Sequence, residues 1–255
     1  MLSLTRSLTP RFQGAFPRFA KLTLAARWLS IQTATTPNEN SLKFIVKDHH
    51  FLPPSVDHSV DVEDLPAASD KSPLAVSLFK LNGVMSLLIG PDFITVNKVE
   101  DDLSNNPELQ WPALKPKIID TLETAFKEKT PVLTTEYIRE LERTQEEPQD
   151  EDDDVTYEIK ELLNTRIRPA LQDDGGDVHF RSFDPHTGTV YIKLKGACKS
   201  CSLSEETLKN GIESMLKYYV EEVNEVKPIL DLEEEVSLQE FEKLEAKLKA
   251  SSATR

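Results

Sequence analysis

Asp174-Gly-Gly-Asp-Val-His-Phe-Arg-Ser-Phe183 opens the stretch that decides the fold of this chain, which closes with Gly196-Ala-Cys-Lys-Ser-Cys201. Residues 178–183 and 189–194 alternate apolar and polar side chains, as paired strands do, and Pro185-His-Thr-Gly188 supplies a turn between them. The glycines of Asp174-Gly-Gly-Asp177 can adopt positive φ, so this segment predicts a turn before the first strand.

Helical patterns flank this predicted hairpin. Residues 156–171 carry apolar side chains on one side of a helix that is expected to end near Pro169. After the cysteines, Ser202-Leu-Ser-Glu205 has the pattern of a capping box and predicts a helix to about Tyr219. Residues 220–226 predict a last strand, stopped by Pro228. The predicted element order of this domain is αββαβ.

A second folded unit is predicted upstream. Residues 42–47 alternate like a half-buried strand, and Ser72-Pro73 has the pattern of a helix start. Residues 83–89 and 92–98 are two β-rich runs joined by Gly90-Pro91, and a helix is expected after Trp111-Pro112. The fold class is therefore α+β, with two small domains.

An acidic segment separates the two domains. Residues 142–154 contain eight acids, one base and no apolar side chain, so they predict an extended linker. The domains are then expected at residues 39–141 and 155–228. Residues 229–255 predict a charged helical tail, since Phe241, Leu244 and Leu248 recur at helical spacing.

The charge of the chain is unevenly distributed. Residues 1–38 contain five bases and no acid, with interleaved Leu, Phe, Ser and Thr, which is typical of a mitochondrial transit peptide. Its removal leaves 25 bases against 44 acids, a net charge of −19, which disfavours nucleic acid as a partner. No run reaches the ~18 apolar residues that a membrane span needs. We therefore expect a protein of the mitochondrial matrix.

Cys198 and Cys201 are the only cysteines, and they supply half of a four-thiolate metal site. A two-fold dimer would bring two such pairs together. Two other uses stay open: a dithiol-disulfide oxidoreductase, and a zinc-stabilised module with His179 as a third ligand. The cysteines follow a predicted hairpin rather than a parallel βαβ crossover, which disfavours a thioredoxin-like unit.

The surroundings of the cysteines are expected to assist metal binding. The pair is predicted to lie in a surface loop, where the amides of the following helix stabilise thiolates and Lys199 adds a positive charge. Gly196 and Ala197 leave room for a second backbone or a cluster to approach. Asp174 and Asp177 are interpreted as turn formers rather than catalytic acids. Three histidines in irregular segments are interpreted as solvated loop residues: His49, His50 and His58.

Three motifs together resemble the C-terminal domain of the NifU-like, or Nfu-type, iron-sulfur cluster scaffold family. They are Asp174-Gly-Gly-Asp177, Gly196-Ala-Cys-Lys-Ser-Cys201 and Thr207-Leu-Lys-Asn-Gly-Ile-Glu-Ser-Met-Leu216. Upstream, Asn40-Ser-Leu-Lys-Phe44 and Gly90-Pro-Asp-Phe-Ile-Thr-Val96 resemble the N-terminal domain of the mitochondrial members, as does Ser72-Pro-Leu-Ala75.

The resemblance implies a carrier rather than an enzyme. Cys198 and Cys201 would be the cluster ligands, and a homodimer would hold a 4Fe-4S cluster between its two loops. The cluster would come from upstream assembly proteins and pass to apo-acceptors such as lipoyl synthase and respiratory-chain subunits. The N-terminal domain would be an accessory for stability or for partner contact.

Overall fold

The computed structural model describes residues 30–47, 49–54, 56, 58–99, 106–146, 153–199 and 202–229, without the side chains of 144–146 and 202–205. Within this part of the chain the structure is α+β and contains two sheets, as expected. No helix among these residues is long and apolar enough to cross a bilayer.

The N-terminal domain is built on an antiparallel sheet of five strands. In chain order they are β1 Ile31–Thr35, β2 Ser41–Val46, β3 Val60–Val62, β4 Val84–Ile89 and β5 Phe93–Lys98. Their order across the sheet is β1-β2-β5-β4-β3. The hairpin predicted at Gly90-Pro91 joins β4 to β5, with Ile89 opposite Ile94.

Four helices belong to the same domain: α1 Leu65–Lys71, α2 Pro73–Phe79, α3 Trp111–Glu128 and α4 Thr135–Glu146. The Ser72 hydroxyl accepts a hydrogen bond from the Ala75 amide, and Pro73 occupies the first turn, so α2 begins where the sequence predicted. The apolar stripe of α3 is buried at Leu114, Ile118 and Leu122. These side chains pack on the sheet and close the first hydrophobic core.

The C-terminal domain has the predicted order αββαβ. Its first helical segment is followed by β6 Gly176–Asp184 and β7 Thr189–Gly196, which pair antiparallel. The helix α7 Ser202–Tyr219 then crosses over to β8 Glu225–Pro228, which lies parallel to β7. The sheet order is β6-β7-β8, and the helices pack against it to form the second core.

The first helical segment departs from the prediction at Pro169. It consists of α5 Asp154–Leu162, a π-helical turn Leu163–Ile167 and α6 Arg168–Asp173. Pro169 lies in the first turn of α6, where its missing amide hydrogen is tolerated, and the wider turn before it accommodates the ring. The proline therefore interrupts the helical hydrogen bonds without ending the segment.

The last strand is also displaced from its predicted position. Val220 and Val223 are buried in the turn after α7, and β8 begins only at Glu225. Pro228 lies within this strand rather than after it. It is tolerated because β8 is at the edge of the sheet that the described residues form, with β7 as its neighbour.

Two segment boundaries differ from those predicted. Residues 31–35 form β1, so they belong to the N-terminal domain rather than to the presequence expected at 1–38. Residues 142–146 are the last part of α4, which shortens the predicted linker. The rest of the presequence, linker residues 147–152 and tail residues 230–255 lie outside the described residues.

The two domains are packed against each other. All six residues of β5 are buried, although alternate residues of a strand point to opposite faces. Ile94 and Val96 face the N-terminal core, whereas Phe93, Thr95 and Asn97 face the C-terminal domain. The N-terminal sheet is thus covered on both sides, and its outer face lies on the turn and loop that carry the sequence motifs.

Candidate metal centre

Cys198 lies immediately after β7, in the turn that leads to α7. Its sulfur fits against Gly176, the first residue of β6, which pairs with Gly196 across the hairpin. A β-carbon at position 176 would overlap the Cys198 Sγ and would come within 3.1 Å of the Lys195 carbonyl oxygen. The second glycine of the Asp174–Asp177 turn therefore creates the space that the thiol occupies.

The environment of Cys198 differs from the exposed loop that the sequence predicted. Cys198 is only 7% exposed and belongs to the same buried cluster as Leu171, Val178 and Leu194. Burial raises the pKa of its thiol to about 12, and the nearby carboxylates Asp174 and Asp177 add to this shift. The expectation that the loop stabilises a Cys198 thiolate is wrong for this conformation, because burial outweighs the helix amides.

Asp177 does more than form a turn. Its side chain is buried, and one oxygen accepts hydrogen bonds from Arg168 Nε at 3.1 Å and from the Val178 amide at 2.7 Å. The other oxygen accepts from the Ser59 amide at 3.0 Å and from Gln172 Nε2 at 3.3 Å. Asp177 therefore fixes α6 to β6 and also connects the two domains.

Two glycines near Cys198, Gly175 and Gly196, let the N-terminal sheet come close to the turn and loop of the C-terminal domain. Gly175 and Gly196 have φ values of 79° and 64°, which favour glycine. A β-carbon at 196 would lie 2.5 Å from Leu88 Cδ2, and one at 175 would lie 2.9 Å from Thr36 Cγ2. The sequence predicted that Gly196 leaves room for a second backbone or a cluster to approach; in this structure the Leu88 side chain of the N-terminal domain occupies that place.

Lys199 forms an ion pair that spans the two domains. Its Nζ lies 2.6 Å from Glu63 Oε1, and Lys193 Nζ lies 3.6 Å from the same oxygen. The Asn38 and Asn97 side chains donate to the carbonyls of Ala197 and Gly196, each at 3.4 Å. Polar groups of the N-terminal domain thus contact the residues on both sides of Cys198.

His179 is in contact with another histidine. Its ring lies edge-on to His58, with 6.0 Å between the centroids. Burial and, to a smaller extent, the positive charge of Lys195 together lower the pKa of His179 to about 4. Of the loop histidines, His49 packs against Phe51 and Phe126 instead of being solvated, with centroids 5.4 and 4.7 Å away.

A cavity of about 950 Å³ lies beside Cys198. Its walls come from the 37–40 loop of the N-terminal domain and from the facing sides of α6 and α7. Cys198, Asp174 and Gly211 line this cavity. A β-carbon added at Gly211 would have no neighbouring atom within 4 Å. Cys198 therefore lies at the wall of this cavity.

Of the two candidate ligands, Cys198 belongs to the described residues and Cys201 lies outside them. Within the described segments, no three His, Cys, Asp or Glu side chains converge to hold a metal ion. Because the thiolate is both the nucleophile in dithiol exchange and the form that binds a metal, the raised pKa of the Cys198 thiol disfavours both uses in this conformation.

The sequence reasoning missed the residues that join the domains. Ser59, Glu63 and Leu88 contact the motif region from the N-terminal side. A signal was present in Leu87-Leu88-Ile89, because a continuous apolar run is typical of a strand buried on both faces. Ser59 and Glu63 gave no comparable signal.

The family profiles cover both domains. The profile described as "NifU-like domain" matches residues 159–227, and that described as "Scaffold protein Nfu/NifU N terminal" matches residues 31–129. The second match begins at the first residue of β1, in agreement with its place in the folded domain.

Relatives share both domains with this chain. It is 44% identical to "NifU-like protein, mitochondrial" of Saccharomyces cerevisiae over 240 residues, covering 89% of this chain and 91% of the yeast protein. It is 44% identical to the human "NFU1 iron-sulfur cluster scaffold homolog, mitochondrial" over 216 residues, covering 85% of this chain and 78% of that protein. A solution structure of a NifU-like protein from S. cerevisiae is 33% identical, covers 44% of this chain and 89% of its own, and has a TM-score of 0.36.

The NifU-like profile match, over residues 159–227, contains all three motifs of the domain that holds Cys198. The chain belongs to the NifU-like, or Nfu-type, family of iron-sulfur cluster scaffold proteins.

Proposed function

We propose that this protein carries a 4Fe-4S cluster between the cysteine loops of two copies and delivers it to apo-acceptors in the mitochondrial matrix. The observation that carries the proposal is the position of Cys198 at the hairpin end, in a space created by Gly176 and beside an open cavity. Family membership and the mitochondrial names of the relatives support it.

Two copies are required by the ligand count. The chain has two cysteines, and an all-cysteine 4Fe-4S cluster takes four thiolates. The described residues offer no cluster of alternative ligands. A second chain with the same loop completes the set through two-fold symmetry. The proposed ligands are therefore Cys198 and Cys201 of each copy, and the complete site exists only while the copies are associated.

The dependence on association favours delivery over permanent storage. An acceptor that supplies all four ligands from one chain does not need to bring two proteins together, so transfer to it is favourable. The proposed acceptors are apo-proteins such as lipoyl synthase and respiratory-chain subunits, and the proposed donors are upstream assembly proteins.

Anaerobic reconstitution with iron and sulfide tests the proposal. The wild type should bind about four irons and four sulfides per two chains, and loaded protein should be a dimer by light scattering. Cys198→Ala and Cys201→Ala should each lose the cluster, whereas Ser182→Ala, at an exposed position of β6, should load normally. Circular dichroism should show all three variants folded, with Cys198→Ala less stable by about 1 kcal/mol because it removes a buried sulfur.

Transfer is measured by mixing loaded protein with an excess of an apo 4Fe-4S protein. The acceptor should gain its cluster faster than from free iron and sulfide, while the carrier returns to a monomer. A cluster that stays on an unchanged dimer for hours would contradict delivery. Zinc as the only bound metal, or a reversible disulfide without iron, would contradict cluster binding itself.

A further inference from the structure

The role of the N-terminal domain follows from what its outer face covers. We propose that this domain is an internal cap for the empty cluster loop, and that it must leave the loop before a second copy can reach Cys198. The inference rests on the proposed function, because it assumes that two loops come together around a cluster.

The contacts of the cap lie on the residues next to the thiol. The Leu88 side chain packs against Gly196. The Asn97 and Asn38 side chains donate hydrogen bonds to the carbonyls of Gly196 and Ala197, respectively. On the other side of Cys198, Lys199 is bound to Glu63. A second loop that shares a cluster with Cys198 has to pack against these same residues. The two arrangements therefore compete for one surface.

The turn before β6 is covered as well. Gly175 is enclosed by Thr36, Thr95 and Lys43, and Lys43 Nζ donates to the Gln172 carbonyl at 2.8 Å. Gly176, the next residue, makes the space for the Cys198 sulfur. The cap thus contacts Gly175, immediately before β6, and Gly196, at the end of β7, and these two strands border this space. Capping thus keeps the thiol in its buried position.

The interface has the properties of a contact that can open. It is rich in hydrogen bonds and ion pairs, and both Glu63 and Lys199 keep about a third of their side-chain surface exposed, 38% and 32%. Two buried oxygens at this interface, Thr95 Oγ1 and Asp61 Oδ2, have no hydrogen-bond partner. A buried polar atom without a partner is unfavourable, and separation of the domains would hydrate both. Domain contacts of this polar kind are typically separable.

The cap has an advantage over a second copy as long as no cluster is present. Six residues, 147–152, connect α4 to the residue that precedes α5. A linker this short holds the domains at an effective concentration in roughly the millimolar range. A second copy at lower concentration does not displace the cap by itself. Only an association strengthened by the bridging cluster competes with it.

Carbodiimide cross-linking of the full-length protein tests the competition, because this reagent joins carboxylates to amines in direct contact. Glu63 and Lys199 lie in different domains, so their cross-link reports the capped state. Glu213 and Lys217 form an equally close pair within α7 and serve as the control, at 2.5 Å. Linked peptides are quantified by mass spectrometry in cluster-free and in loaded protein.

We expect the Glu63–Lys199 product to fall at least about fivefold on loading, with the Glu213–Lys217 product unchanged. Iron and sulfide are measured in the same samples. Protein that takes up no cluster contradicts the proposed function, whereas protein that loads fully with an unchanged Glu63–Lys199 yield overturns only the cap. A Glu63–Lys199 product found between different chains of the cluster-free protein also overturns it.

A variant separates the cap from cluster chemistry altogether. Leu88→Glu places a charge on the outer face of β4, and Met85→Glu places one at an exposed position of the same strand. In cluster-free protein, Leu88→Glu should lose the Glu63–Lys199 product and load faster than the wild type, while Met85→Glu should match the wild type. Leu88→Ala repeats the measurement without a buried charge. Wild-type yields in both Leu88 variants would overturn the cap.

Discussion

The two faces of the N-terminal sheet are both buried, but they are buried in different ways. The inner face carries Phe44, Leu87 and Val96, which pack among helices in a continuous apolar core. The outer face carries Lys43, Thr95 and Asn97 beside Leu88, and it meets backbone carbonyls and charged side chains. Complete burial therefore does not identify a permanent contact. The composition of the face distinguishes a core from a surface that can separate.

The largest expected effect comes from replacing Asp177, which binds Arg168 in its own domain and the Ser59 amide of the N-terminal domain. Asp177→Ala removes a buried carboxylate and leaves Arg168, whose side chain is 13% exposed, without its ion partner. We expect a loss of about 3–5 kcal/mol in the unfolding free energy of the C-terminal domain, measured by urea denaturation. Asp177→Asn, which keeps the shape and one acceptor, should lose less. Glu221→Ala, at an exposed position after α7, is the control. A loss below 1 kcal/mol in Asp177→Ala would show that the carboxylate stabilises neither its own domain nor the contact.

Two adjacent leucines compare the faces directly. Leu87 and Leu88 are both completely buried, but Leu87 faces the core and Leu88 faces the C-terminal domain. Leu87→Ala should cost about 3 kcal/mol of unfolding free energy, because it leaves a cavity in the core. Leu88→Ala should cost less than about 1 kcal/mol, since the domains can separate and relieve the defect. Equal losses in urea titrations would mean that the two faces are equivalent.

A smaller effect is expected from pH. His179 has a folded-state pKa of about 4 against an ordinary 6.5, so the unfolded chain binds a proton that the folded chain excludes. Stability should therefore fall as the pH drops from about 6.5 towards 4, by at most about 3 kcal/mol and by less if residual exposure screens the charge. The groups that face its ring are Lys195, Arg181 and His58.

His179→Gln should flatten this part of the stability profile, measured as the urea midpoint between pH 7 and pH 4.5. His186→Gln, in the exposed β6–β7 turn, should leave the profile unchanged. If the two variants behave alike, His179 does not contribute the acid sensitivity.

Much of the fold could be predicted from the sequence because its strands have one apolar face. The hairpin of β6 and β7, the crossover helix α7 and the strands β4 and β5 all follow from alternation and turn residues. The short strands β1 and β3 gave weaker signals, since one lies next to a basic segment and the other has only three residues. Helix α4 was not predicted, and its last residues have the charge of a linker.

The site was predicted only in part. The spacing of Cys198 and Cys201 pointed to metal chemistry, but alternation along β5 indicates which face is apolar and does not show that a polar face is covered. The pattern of β5 therefore contains nothing that marks Thr95 and Asn97 as buried. Cys198 is buried among Leu171, Val178 and Leu194 of its own domain. The contacts between the domains join residues more than a hundred positions apart, such as Ser59 and Asp177, and local patterns do not contain them.

Gly211 shows a compromise between helix stability and open space. A glycine inside a helix such as α7 is less favourable than alanine by about 1 kcal/mol, and nothing packs where its β-carbon would be. Alanine would therefore be tolerated and would make the domain more resistant to heat. The same methyl group would extend into the cavity beside Cys198. Selection for thermostability alone would thus reduce the volume of the cavity next to Cys198. A more thermostable variant would therefore have less room for a ligand in that cavity.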